Sequence, residues 1–340
     1  MKHLFVASSH LTFYICDKYI AEEGFSKQSC ILFLTRDYHI PANFEREYPC
    51  IIETDYNQTG QKAGRIFAGA NIMKTCKNIK RFDSLVDSYL KGEEFDLYAQ
   101  VCSNDIFSLF VTKKNCIAYH IIEDGLASYM DYNPQTFCGA KYWMYRLILR
   151  PLFYRIFAYK NHFISTESPK YKGCIATCNK CFPLHQEKLR IIGLPFQSID
   201  LGYVPDAILS IDPLFMQTSS KEVIKQIYSE IAAFVNVKGY KIVAYKFHPN
   251  FDTEMQKENK AFYRDIISPL FKSKLMEIDS RVALENVLFT YRCDFYTGNS
   301  SVAIYGKQMG AKIFSYAKIL EEVGLKAEIP SIMADCFEFI

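Results

Sequence analysis

Residues 220–250 read SKEVIKQIYSEIAAFVNVKGYKIVAYKFHPN, and this stretch decides the fold. An amphipathic run over 220–237 predicts a helix. A short apolar run over 241–247 then predicts a strand, and the strand ends in His248-Pro249. A helix feeding a buried strand is the repeating unit of a parallel sheet covered on both faces. The same alternation extends in both directions. Toward the C-terminus the sequence predicts a helix over 262–271, strands over 287–290 and 295–297, a helix over 300–309 and a strand over 312–316. A further strand is expected over 214–217.

Toward the N-terminus the pattern is similar. Residues 2–7 and 30–34 read as strands, with a helix over 11–23 between them. Helices are expected over 63–79 and 82–91, and short strand or helix pieces over 97–101, 106–111 and 119–123. Residues 190–194 and 207–210 are strand fragments set among turns. Gly193, Pro195, Gly202, Pro205 and Pro213 crowd the region between the two alternations, which marks a boundary. The expected organisation is therefore α/β: a Rossmann-like domain over 1–195, a linker over 196–212, and a second Rossmann-like domain over 213–340. Two such halves facing a central cleft describe a GT-B-like architecture.

Composition narrows the class. The 340 residues suffice for two domains, and 49% hydrophobic with 23% charged residues excludes a disordered chain. Net charge is +3, yet residues 141–190 hold ten Lys/Arg against two Asp/Glu. A local basic segment suits a local anionic partner and excludes a nucleic-acid-coating role. Within it, Arg146, Arg150 and Arg155 are interleaved with Trp143, Leu147 and Phe153. That mixture suits an interfacial helix over 141–160 at an anionic membrane, and equally a core-packed helix with solvated arginines. The first residues read as a strand and not as a secretory leader, so a cytoplasmic protein is expected. The twelve cysteines are scattered through apolar runs, as buried free thiols are. Cys174, Cys178 and Cys181 form C-x3-C-x2-C. Zinc would need a fourth ligand, for which His185 is the candidate, and ordinary loop cysteines are the favoured reading.

Three segments at predicted strand ends could carry chemistry, because strand C-termini line the ligand crevice of α/β sheets. The first is Glu123-Asp124-Gly125, after the apolar Ile121 and Ile122. A carboxylate there could act as a general base, although the sequence also suits a turn. The second is His248-Pro249. Proline holds the preceding backbone extended and so directs the imidazole, while Lys246 could share its face. The third is Gly298-Asn299-Ser300-Ser301, where a turn opens a helix whose N–H groups and hydroxyls could cradle a phosphate or simply cap the helix. Ser9-His10 and Asn104-Asp105 also follow apolar runs and could face the cleft, although loop caps explain them equally well.

Together these segments resemble a known group. Glu123-Asp124-Gly125 resembles the D/E-D/E-G motif of bacterial sialyltransferases, His248-Pro249 their HP motif, and Ser300-Ser301 their S/T-S motif. A strand leading into Ser8-Ser9-His10 and then a helix is similar to glycosyltransferase family 52, the lipooligosaccharide sialyltransferases. Some ten positions carry the likeness, and the motifs are shared with other bacterial sialyltransferase families. The resemblance implies an inverting transfer of sialic acid from CMP-Neu5Ac to a sugar hydroxyl, galactose being favoured, on a bacterial surface glycan. Asp124 would be the base, with Glu123 the alternative. His248 would assist the departing CMP. Ser300 and Ser301 would hold its phosphate, with Gly298, Asn299, Lys246 and Pro249 around it. Gly125, Ser9, His10 and Asn104 would contact donor or acceptor.

No metal or other cofactor is expected. A histidine and a helix N-terminus can meet the charge on one phosphate, and neither Asp279-Ser280-Arg281 nor Asp131-Tyr132-Asn133 supplies an Asp-x-Asp. The expected location is the inner face of the cell membrane, with room for a homodimer. A CDP-glycerol-type phosphotransferase, another GT-B glycosyltransferase of surface polysaccharide, and a non-catalytic assembly partner are the alternatives.

Overall fold

The computed structural model describes residues 1–35, 38, 40–41, 44, 47–48, 51–53, 72–100, 105–129, 168–218, 220–248, 251, 256–327, 329 and 331–340. The chain divides into two compact units, Met1–Pro195 and Phe196–Ile340.

In the first unit β1 (Lys2–Ala7) leads into α1 (His10–Glu22), followed by β2 (Cys30–Leu34) and β3 (Ile51–Glu53). Then come α2 (Ile72–Leu90), β4 (Phe95–Gln100), α3 (Asp105–Val111) and β5 (Cys116–Ile122). β6 (Tyr171–Ala176) and β7 (Leu189–Ile191) complete the sheet, whose order among the described residues is β3-β2-β1-β4-β5-β6-β7. Each described pairing is parallel. β1 and β2 are buried along nearly their whole length, the pattern of strands covered on both faces. On one of those faces Phe33 of β2 meets Phe82 of α2 and Phe110 of α3 in edge-on contacts, with centroids 4.9–5.8 Å apart. Each such buried aromatic contributes ~1.5–3 kcal/mol over exposure.

The second unit begins its sheet with β8 (Ala207–Ile211), inside the 196–212 stretch expected to be linker. α4 (Lys221–Val237) follows. The Ser220 hydroxyl accepts the Val223 N–H and caps it. Ile224, Ile227, Tyr228, Ile231 and Val235 are buried at helical spacing and turn one face of α4 into the core. Next come β9 (Ile242–Phe247), α5 (Lys257–Ile267), β10 (Lys274–Glu277), α6 (Leu284–Tyr291) and β11 (Asp294–Thr297). α7 (Val302–Gln308), β12 (Ile313–Ser315), α8 (Ala317–Glu322), α9 (Ser331–Ala334) and β13 (Glu338–Phe339) close the chain. The strand order is β10-β9-β8-β11-β12-β13, again parallel throughout the described pairs.

Two expected strands are helical. Residues 214–217 form a 3₁₀ turn over Leu214–Met216, because Pro213 has no N–H for a ladder and the chain bends straight after β8. Residues 287–290 lie inside α6. Leu284, Val287 and Leu288 are buried at i, i+3 and i+4, so helical packing overrides the β-branched composition. The helices expected over 63–79 and 82–91 are one helix from Ile72 onward, and 63–71 lie outside the described residues. Among the described residues no helix is long and apolar enough to cross a membrane. The basic segment 141–160 lies outside them.

Candidate functional site

In the second unit, parallel pairing brings three strand ends to one edge. β8 lies between β9 and β11, with Ile211 beside Phe247 and Leu209 beside Tyr296. The residues just past these ends are Asp212, His248 and Gly298. The His248 N–H donates to the Ile211 carbonyl at 3.0 Å, so the exposed imidazole starts next to Asp212.

Asp212, which the sequence reading passed over, organises this edge. Its Oδ2 accepts the Gly298 N–H at 3.2 Å. The Tyr316 hydroxyl lies 2.8 Å from both that oxygen and the Ser210 carbonyl. Burial pushes the Asp212 carboxyl above the usual range, while Tyr316, the Gly298 N–H and Ser210 pull the other way. The Ser315 hydroxyl donates to the Gly298 carbonyl at 2.7 Å, so Gly298 is held on both sides. A Cβ on Gly298 would stand 2.5 Å from Asp212 Oδ2. The glycine is thus required by close approach. The signal for Asp212 was present, since an acid directly after an apolar strand is what marked Asp124.

From Gly298 the chain passes the exposed Asn299 to the half-buried Ser300 and Ser301. Ser300 donates its N–H to Thr297 Oγ1 at 3.3 Å, and its hydroxyl accepts the Val302 N–H at 3.3 Å. Ser300 therefore holds the start of α7. Ser301 makes no side-chain cap bond. Lys246 is placed differently from His248. It is only 6% exposed, its ammonium donates to the Val282 carbonyl, and Asp279 and Glu285 lie within its electrostatic reach. Pro249 lies outside the described residues.

In the first unit β5 runs directly into the acidic pair, and the two acids sit in different surroundings. Glu123 is fully buried. Its Oε1 accepts the Tyr129 hydroxyl at 2.9 Å and its Oε2 the Thr177 N–H at 2.6 Å. Its own N–H donates to the Ile175 carbonyl, which ties the end of β5 to β6. Asp124 is half-buried, and its N–H donates to Ser128 Oγ at 2.7 Å. Gly125 follows at φ +58°, a conformation that glycine adopts without strain, and turns the chain into the 3₁₀ segment Gly125–Tyr129.

Two strands away on the same edge, Ser9 caps α1 reciprocally with Thr12, and His10 Nδ1 lies 3.3 Å from the Tyr38 hydroxyl. Between them the Ser8 hydroxyl donates to Gln100 Oε1 at the end of β4. Asn104 lies outside the described residues. Tyr129, Thr177, Gln100 and Tyr316 carry no motif in the sequence, and only the folded chain connects them to these edges.

Among the described residues no group of three or more His, Cys, Asp or Glu side chains could hold a metal ion. Cys174 points to the Tyr171 hydroxyl at 3.2 Å and not to the other two cysteines, and the His185 ring lies against the Tyr171 ring. Cys178 and Cys181 approach each other, with sulfurs 4.0 Å apart.

No family model matches the chain, and no curated protein matches it. Solved structures do resemble it. The UDP-GlcNAc 2-epimerase of Methanocaldococcus jannaschii, crystallised with UDP-GlcNAc and UDP, is 15% identical, with a TM-score of 0.53 over 97% of this chain and 88% of that one. The E. coli ADP-heptose LPS heptosyltransferase II is 8% identical, with a TM-score of 0.42 over 100% of this chain and 90% of that one. The wall teichoic acid polymerase TagF is 10% identical, with a TM-score of 0.44 over 95% of this chain and 72% of that one. The fold is GT-B-like, built of two Rossmann-like α/β units.

Proposed function

We propose that this chain is a nucleotide-sugar-dependent glycosyltransferase, and specifically an inverting sialyltransferase. It moves sialic acid from CMP-Neu5Ac to a sugar hydroxyl, galactose being favoured, of a bacterial surface glycan. The observation that carries the reading is the shared edge in the second unit. His248 after β9 and Ser300 and Ser301 after β11 flank Asp212 after β8, at the strand ends where α/β sheets take phosphates. His248 and the two serines meet the single phosphate of CMP. As the bond between the anomeric carbon and that phosphate breaks, charge gathers on the phosphate, and a protonated imidazole with hydroxyl donors stabilises it without a metal ion.

In the first unit Asp124 is the base. It takes the acceptor hydroxyl's proton while that oxygen bonds to the anomeric carbon. The different surroundings of the pair favour Asp124, since both Glu123 oxygens already accept hydrogen bonds inside the unit.

The donor assignment is tested by thermal denaturation. CMP is expected to raise Tm while UDP does not, and EDTA to leave transfer intact. His248→Ala and the paired change Ser300→Ala with Ser301→Ala should each weaken the CMP-induced shift. Combined, they should weaken it by less than the sum, because both act on one phosphate. A chelator-sensitive enzyme that prefers UDP-sugars would overturn the assignment. CMP released from CDP-glycerol, with none from CMP-Neu5Ac, would instead make it a phosphotransferase.

The acceptor's setting rests on the basic segment. We place the protein at the inner face of the membrane, held by 141–160 at ~1 kcal/mol per basic side chain near an anionic surface. It should sediment with anionic liposomes at low salt and less at high salt, where charge attraction is screened. Changing Arg146, Arg150 and Arg155 to Gln should abolish sedimentation yet spare transfer to a soluble acceptor. A triple variant that unfolds, or a wild-type protein that ignores liposomes, would make the segment core or dimer interface instead.

A further inference from the structure

We infer that Cys178 and Cys181 are a redox-active dithiol that closes reversibly to a disulfide beside the buried end of the Glu123-Asp124-Gly125 turn. The two residues form a C-x-x-C in the turn that leaves β6, where the Cys181 N–H donates to the Cys178 carbonyl at 3.4 Å. Their sulfurs lie 4.0 Å apart in the open form, and a disulfide needs ~2.05 Å, so closure takes a movement of about 2 Å within one turn.

The two thiols differ. Cys178 is half-buried and reachable, whereas Cys181 is fully buried. The hydrogen bond from the Cys181 thiol holds Cys178 below the ordinary thiol range, against the effect of burial. Cys181 is pushed up by the same bond, by burial and by the nearby Glu123 carboxylate. Cys178 is therefore the thiol held low and Cys181 the one held high, which is the division a dithiol couple needs. The other buried cysteines go the opposite way. Burial raises Cys30 and Cys174 to about 11 and Cys116 and Cys293 to about 12.

The chemistry balances with an organic hydroperoxide as oxidant. The Cys178 thiolate attacks the peroxide oxygen, the O–O bond breaks, and the alkoxide leaves and takes a proton from solvent. Cys178 is then a sulfenic acid. The Cys181 sulfur displaces its hydroxyl, the S–S bond forms, and the Cys181 proton leaves with the hydroxyl as water. The cysteines lose two electrons and the peroxide gains them. A dithiol such as DTT reverses the step by exchange.

The consequence lies one bond away. Thr177, whose N–H holds Glu123 Oε2, is the chain neighbour of Cys178, and Tyr129 bridges Glu123 Oε1 and the Cys178 sulfur. Closing the disulfide shifts both anchors of Glu123. This inference does not depend on the reaction proposed for the chain.

The test uses the full-length protein. After reduction, alkylation of Cys178 by iodoacetamide is followed against pH by peptide mass spectrometry, and its midpoint is expected well below the ordinary thiol value of ~8.5. Cys181→Ala, which removes the donor thiol, should move that midpoint upward. After tert-butyl hydroperoxide, both cysteines should resist alkylation until DTT is added, and trypsin fragments cut after Lys180 should stay joined. An ordinary midpoint of ~8.5 for Cys178 would overturn the inference. So would continued alkylation of both cysteines after peroxide, or a bridge from either to a different cysteine.

Discussion

Asp124→Asn is expected to cut turnover by ~10²–10⁴-fold while CMP binds as before, because a general base acts on the acceptor and not on the donor. Glu123→Gln should behave in another way. The carboxylate accepts two hydrogen bonds, one from the Tyr129 hydroxyl and one from the Thr177 N–H. An amide can offer its oxygen to the Thr177 N–H and its NH₂ to the Tyr129 hydroxyl, which must then turn to accept, so two charge-assisted bonds become neutral ones. The expected result is a loss of about 1–3 kcal/mol of stability, read by chemical denaturation, with turnover falling only as far as the turn loosens. If Glu123→Gln is folded but dead and Asp124→Asn is active, the base is Glu123. If both are active and stable, the pair is a turn and nothing more.

The second large effect is expected at Gly298. Its φ lies outside the left-handed region, so backbone freedom is not why glycine stands there. Space is the reason, since an added Cβ would sit 2.5 Å from Asp212 Oδ2. That oxygen cannot retreat without loosening its contacts with the Gly298 N–H and the Tyr316 hydroxyl. Gly298→Ala should destabilise the second unit by about 1–3 kcal/mol and weaken the CMP-induced rise in Tm. Asp212→Ala removes the clash together with the hydrogen bonds, so the double variant should be less damaged than the two single losses added together. A coupling of ~0.5–3 kcal/mol is the expected size. Strict additivity would separate Asp212 from the Gly298 turn and leave the serines without the scaffold described here.

These two tests fall on different sides of what could be read from residues alone. Continuous apolar runs such as CILFL at 30–34 and AILS at 207–210 suit strands buried on both faces, and they alternate with amphipathic helices such as α4. Period and hydrophobicity are local, so the doubly wound α/β character was legible. The acidic pair and the histidine directly follow such runs, and the serine pair follows one across Gly298-Asn299, which is what marked them as candidates. Local patterns failed where a tertiary contact decides. Residues 287–290 are helical because Val287 and Leu288 share a buried face with Leu284. Residues 214–217 turn because Pro213 ends the ladder.

What no local pattern contains is partnership across the chain. Asp212 meets Gly298 across 86 residues and Tyr316 across 104, and Thr177 meets Glu123 across 54. Parallel strands are joined by long crossovers, so neighbours on a sheet edge are distant in sequence, and strand order alone brings them together. The residue types that offer themselves for chemistry were therefore set by the sequence. Which carboxylate is buried as a scaffold, which stays reachable, and why a glycine must stand at 298 were decided by the packing of strand ends in three dimensions.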